Sequence, residues 1–152
     1  MPPQFAAGRR YYPFSRYLRQ RFGGRVWRVT IDAGFTCPNV DGTVTTGGCV
    51  FCDNRSFSPN RRLPRTNVRM QVSRGIEILG NRHGASRFLA YFQAATNTHA
   101  SVDRLRRLYD SALEDARIVG LAVGTRPDSV PDEVLDLLRE YARERYVCLE
   151  LG

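Results

Sequence analysis

The sequence predicts an α/β fold: about four parallel strands joined by crossover helices, forming part of a (βα) barrel. Three observations predict it. Apolar runs recur at RFLAYFQA (87–94), ARIVGLAVG (116–124) and YVCLELG (146–152), too continuous for a sheet with one wet face and suited to strands buried on both. Segments with apolar residues at helical spacing separate them. The alternation of strand and helix is that of βαβ units, which build parallel sheets. Four strands do not close a barrel, and no helical pattern follows the last, so the chain is expected to be a barrel truncated to its front half.

Each element has its own reason. Residues 1–25 are expected to be a basic lead-in followed by a short helix. In FSRYLRQRF (14–22), Phe14, Tyr17, Leu18 and Phe22 share one side, and Gly23-Gly24 ends the helix. VWRVTID (26–32) alternates and is β-branched, a strand that feeds a loop rich in Gly and Thr. Val68, Val72, Ile76 and Leu79 mark a helix over 68–81. Ser101 is the expected N-cap of a helix over 101–115, with Val102, Leu105, Leu108, Tyr109, Ala112 and Leu113 on its stripe. Pro131 opens a helix over 131–144 that turns Val134, Leu135, Leu138 and Tyr141 inward.

Composition narrows the function classes. With 152 residues, 42% hydrophobic and 25% charged, the chain can bury a core and is not a disordered tail. It has no apolar run long enough for a bilayer and no apolar signal core, so no membrane partner and a cytoplasmic location are expected. Four cysteines in such a chain point to metal or redox chemistry rather than a disulfide framework. The net charge of +8 is uneven: residues 1–70 hold twelve Arg against Asp32, Asp41 and Asp53, and residues 71–152 hold eleven Arg against twelve acids. A basic front half fits a surface that meets phosphates, RNA among them; a plain solvated face rich in Arg fits equally.

The densest chemistry lies in CPNVDGTVTTGGCVFC, where eleven residues separate Cys37 from Cys49 and two separate Cys49 from Cys52. Such a loop can bend three thiolates round one metal centre without resistance from bulk or helix propensity, Gly47-Gly48 supplying the turn. Asp32 and Asp41 are expected to fix its backbone by local hydrogen bonds. Zinc, with His83 or His99 as fourth ligand, is the rival occupant, but structural zinc sites usually show two close pairs, and here only Cys49/Cys52 is such a pair. His83 reads as solvated, His99 as exposed near the loops, and Cys148 as a small core residue. Arg126, before Pro127, reads either as an anion binder or as an ordinary charged loop residue.

With Phe51 before its last cysteine, the loop resembles that of the radical S-adenosylmethionine (radical SAM) superfamily. The phrases DAGFTCPN, DGT, TGGC and FC, then AYFQA, TNT, VGLAVGTRPD, PDEVLDLL and LELG, look like the YhcC/YtqA group, related to the elongator catalytic subunit. The likeness runs from about Arg10 to Gly152 and makes residues 26–152 the N-terminal half of a radical SAM core domain. It implies a partial barrel of the radical SAM type holding a 4Fe-4S cluster, with one iron left to bind S-adenosylmethionine. Reductive cleavage would then give a 5′-deoxyadenosyl radical that abstracts hydrogen from a substrate.

Carried over by position, Cys37, Cys49 and Cys52 would be the cluster ligands, and Phe51 would pack near cluster and adenine. Gln93, Thr96, Asn97 and Thr98 would approach the methionine end of S-adenosylmethionine. Many members offer a third-strand acid to the ribose; Gly124 stands there, so Thr125 or Asp128 would take that role. The kinship implies an electron donor such as flavodoxin or ferredoxin, and tRNA as substrate through the basic front half. The other class is a truncated, non-catalytic fragment that binds iron–sulfur or zinc.

Overall fold

The structure, a computed structural model, describes residues 10–53, 56, 58, 60 and 66–152. Most of the expected lead-in (residues 1–9) and Arg55, Arg61, Arg62 and Arg65 of the basic half lie outside these.

The elements follow the order α1 (Phe14–Phe22), β1 (Trp27–Ile31), α2 (Val68–His83), β2 (Phe88–Phe92), α3 (Val102–Leu113), β3 (Ile118–Thr125), a 3-10 turn (Pro127–Ser129), α4 (Asp132–Glu144) and β4 (Tyr146–Leu151). The strands form one sheet in the order β1-β2-β3-β4. Every pairing is parallel, with Val29 opposite Ala90, Ala90 opposite Leu121 and Leu121 opposite Val147. This is the α/β architecture expected from the apolar strand runs.

The register explains the core. Val29, Ile31, Phe88, Ala90, Phe92, Ile118, Leu121 and Val123 cluster with Val72 and Ile76 of α2, Leu105 and Tyr109 of α3, and Val134 and Leu137 of α4. Burying that many aliphatic and aromatic side chains, each worth about 1.5–3 kcal/mol, is what holds the helices on the sheet. On the other face, Tyr91 donates to Glu150 Oε2 at 2.6 Å and Arg28 Nη1 meets Glu150 Oε1 at 3.2 Å. Burial, followed by the bond and charge of Glu150, pushes the Tyr91 hydroxyl up to about 12.

Helix α1 packs at the amino end of the sheet. Phe22 meets the Tyr146 ring edge-on at 5.7 Å, and Arg87 Nη1 donates to the Phe22 carbonyl at 3.0 Å. The carboxyl ends of the strands are left to the loops.

Several local expectations are corrected. In α4, Leu137 rather than Leu135 faces inward: Leu137 is 1% exposed and Leu135 38%, because Leu137 continues the stripe of Val134, Leu138 and Tyr141 while Leu135 is turned about 100° from Val134. Ser101 stands at the N-cap of α3 but makes no side-chain cap bond. Asn67 caps α2, accepting from Met70 N at 2.8 Å. Pro131 is the N-cap of α4, one residue before the helix. His83 closes α2, exposed as expected, and stacks on Trp27 with ring centres 4.2 Å apart.

Candidate metal centre at the carboxyl edge of the sheet

The cysteine loop is anchored where it leaves β1. Gln71 of α2, 7% exposed, accepts from Asp32 N and donates to Asp32 O, both at 2.9 Å. Asp32 Oδ1 accepts from Gly34 N at 2.9 Å, and Phe35 is buried. Beyond Cys37 the chain folds back on itself. Val40 N bonds to Cys37 O at 2.7 Å, Val44 N to Pro38 O at 2.9 Å and Gly48 N to Asn39 O at 2.8 Å, with a bridge between Asp41 and Thr46. Gly47 and Gly48 have φ of 85° and 79°, a region that costs other residues about 1–2 kcal/mol. The eleven-residue spacing is thus taken up by a compact fold-back. Cys52 N then bonds to Cys49 O at 2.9 Å, closing a tight turn.

Asn39 links two of the thiols: its backbone N–H reaches the sulfur of Cys37, and its Nδ2 donates to Cys49 Sγ at 3.1 Å. Burial alone would push the Cys37 thiol up. Hydrogen bonds from Thr96, Asn39 and Arg126, with the charge of Arg126, outweigh it and lower the thiol from its ordinary value. Arg126 Nη1 lies 3.9 Å from Cys37 Sγ, while Nε and Nη2 hold Asp128 at 2.8 and 2.5 Å. Cys148, inside β4, is shifted the opposite way, chiefly by burial. None of the four cysteines is in a disulfide.

The loop after β2 braces this one. Thr96 N donates to Thr36 O at 3.0 Å. Asp41 accepts from Thr36 Oγ1 at 2.6 Å, from Thr43 Oγ1 at 2.7 Å and from Thr43 N at 3.1 Å, and its Oδ2 lies 2.9 Å from His99 Nε2. The bonds from Thr36 and Thr43, then that to His99, hold the Asp41 carboxyl well below the usual range. The aspartates therefore fix the loop as expected, whereas the reach of His99 across 58 positions carries no local sequence signal.

The expected S-adenosylmethionine residues divide. Asn97 is fully buried, and its Nδ2 donates to Gly124 O at 2.8 Å and to Ala94 O at 3.2 Å. Thr98 Oγ1 donates to Ser129 O and lies 2.6 Å from Thr125 Oγ1; its one hydrogen is committed, so Thr125 is the donor in that pair. These two side chains tie the loop after β2 to the end of β3 and the turn beyond it, whereas Thr96 bonds to the cysteine loop, at Thr36 and Cys37. Gln93 is half-buried at the end of β2, with its N–H on Ile31 O at 3.1 Å. Asp128 is engaged by Arg126, and Phe51 stands 88% exposed. Sequence reasoning missed Ala94 and Ala95, which adopt φ of 74° and 63°; strain of this kind concentrates where a site over-determines the backbone.

A cavity of about 430 Å³ opens beside these loops, lined by Pro38, Thr43, Thr98, His99, Asp128 and Ser129 among others. Among the described residues, no three His, Cys, Asp or Glu side chains converge into a ligand group, so Cys37, Cys49 and Cys52 share a loop without being closed into a trio. Zinc, with His83 or His99 added, has no gathered set either. The donor chemistry still fits an iron–sulfur group: the residues are three thiols on one loop, and two of their sulfurs accept N–H bonds, from the Asn39 backbone and side chain.

Fold and site define a parallel α/β protein with a thiol loop at the carboxyl edge of its sheet. Over 140 residues, 91% of this chain, the sequence is 49% identical to protein YhcC of Escherichia coli, of which it covers 44%. It is 39% identical over 150 residues to YtqA of Bacillus subtilis, covering 95% of this chain and 45% of that protein. A Methanocaldococcus jannaschii protein is 28% identical over 151 residues, with 97% and 45% covered. The chain thus spans about half the length of the curated relatives it matches. No family model matches it, and no solved structure matches it significantly.

Proposed function

We propose that this chain is the cluster-binding part of a radical S-adenosylmethionine enzyme, its four parallel strands forming one side of a (βα) barrel. The observation that carries the reading is the loop after β1, which carries three cysteines outside any disulfide at the carboxyl edge of a parallel sheet and lowers the Cys37 thiol with hydrogen bonds from Thr96, Asn39 and Arg126. In α/β folds that edge is where ligands bind.

Cys37, Cys49 and Cys52 would hold a 4Fe-4S cluster, which when bound supplies the electron that cleaves S-adenosylmethionine reductively. Asn39 steadies two sulfurs and offers them hydrogen bonds. Thr96, Asn97, Thr98 and Thr125 act from beneath, fixing the loops that frame the site. Gln93 is the polar side chain proposed for the methionine end. Phe51, exposed in this chain, is proposed to cover bound adenine. A flavodoxin or ferredoxin is the proposed electron donor and tRNA the proposed substrate, both in a reducing cytoplasm. No helix among the described residues is long and apolar enough to cross a membrane.

Anaerobic reconstitution with iron and sulfide, then dithionite and S-adenosylmethionine, tests the reading. It predicts 5′-deoxyadenosine release, or at the least a spectral change of the cluster when S-adenosylmethionine is added. Zinc uptake without sulfide would overturn it in favour of a non-catalytic zinc fragment. For the substrate, filter binding to tRNA should weaken steeply as salt rises; affinity indifferent to salt would remove the physical support for RNA.

A further inference from the structure

Arg126 sits where a strand end becomes an electrostatic fitting. It follows Thr125, the last residue of β3, in extended conformation, and the 3-10 turn Pro127–Ser129 returns the Asp128 carboxylate to it. Asp128 occupies the Nε–Nη2 edge of the guanidinium, a bidentate pairing that fixes its plane. Nη1 is left pointing at Cys37 Sγ, 3.9 Å away. Ser129 closes the turn, its Oγ 3.4 Å from Asp128 Oδ1 and its carbonyl accepting from Thr98. The Arg126 side chain is 23% exposed and that of Asp128 54%, so the cation is the more buried of the two and its partner is the more open to water.

We propose that Arg126 and Asp128 form a tuning pair for the sulfur of Cys37: Arg126 is a positioning residue whose charge raises the reduction potential of the group the cysteines hold, and Asp128 aims it and offsets part of that charge. The inference rests on the cluster reading above. Its physics is general. A fixed cation beside a ligand sulfur favours the more negative, reduced state, and an anion favours the oxidised one. The burial asymmetry makes the cation the stronger influence at the sulfur, because solvent screens Asp128 more.

The test is a redox titration of the full chain, reconstituted anaerobically and followed by electron paramagnetic resonance, with iron and sulfide measured in each sample. Arg126→Gln should lower the midpoint potential, Asp128→Asn should raise it, and Arg126→Lys should stay nearer the parent than Arg126→Gln does. A merely structural role would not give shifts of opposite sign at unchanged iron content. Should Arg126→Gln fail to fold, Asp128→Asn still carries the test, being close to isosteric on a largely exposed residue. Cluster uptake with potentials that coincide, or that move the same way, overturns this inference and leaves the cluster reading standing. A parent chain that takes up no sulfide overturns both.

Discussion

At the residue scale the site is a set of charges and hydrogen bonds gathered around sulfur. Asp41 shows how its loop depends on pH. Its carboxyl is held well below the usual range by Thr36 and Thr43, with His99 contributing. A group with a depressed folded-state value stabilises the fold at pH above its unfolded value, near 4, and that contribution is lost as pH falls toward the folded value. Protection of the amides of residues 37–49, taken as exchange relative to the intrinsic rate at each pH, should therefore stay high above about pH 4 and fall below it. Asp41→Asn should lower protection across the range; a variant as protected as the parent at neutral pH would contradict the assignment. Much of this was legible beforehand: the cysteine spacing named the three thiols, and turn chemistry named Asp32 and Asp41. The partners Gln71 and His99 were not, because their bonds span 39 and 58 positions and nothing local to them marks the contact.

At the element scale, the fold-back between Cys37 and Cys49 depends on left-handed glycines. A Cβ at Gly48 would stand 3.4 Å from Val40 Cγ2, on top of a φ of 79°. Gly48→Ala should cost about 1–2 kcal/mol within the loop and speed alkylation of Cys49 while leaving the helical circular dichroism unchanged. An unaltered alkylation rate would mean the turn does not set that thiol. Strand and helix positions were legible within one or two residues, since apolar continuity and helical spacing come straight from the side chains. Cap details were less so. Ser101 had the right residue type without the bond, and Asn67 had the bond without being singled out. Which leucine of α4 points inward was decided by the full stripe that the sheet demands, not by the pattern in isolation. The left-handed Ala94 and Ala95 were invisible, because alanine carries no signal for a conformation imposed on it by the loops.

At the scale of the whole molecule, one parallel sheet backed by helices and plugged at its amino end by α1 leaves its carboxyl edge for chemistry. Order along the chain made that legible: three βαβ steps fix which loops meet there, so loops far apart in sequence arrive at one edge. The closeness of Arg126 to Cys37 was not legible, since it depends on how a side chain at the end of β3 leans across to the loop after β1. The basic first half was read from counting, and its part as a phosphate-facing surface stays tied to the tRNA proposal. The central claim is that Cys37, Cys49 and Cys52 together hold an iron–sulfur cluster. Iron and acid-labile sulfide per chain, measured after anaerobic reconstitution of the parent and of single Cys→Ser variants, tests it most directly. The account predicts about four of each in the parent and in Cys148→Ser, with sharp loss in Cys37→Ser, Cys49→Ser and Cys52→Ser; sulfide absent from the parent, or retained in those three variants, would contradict it.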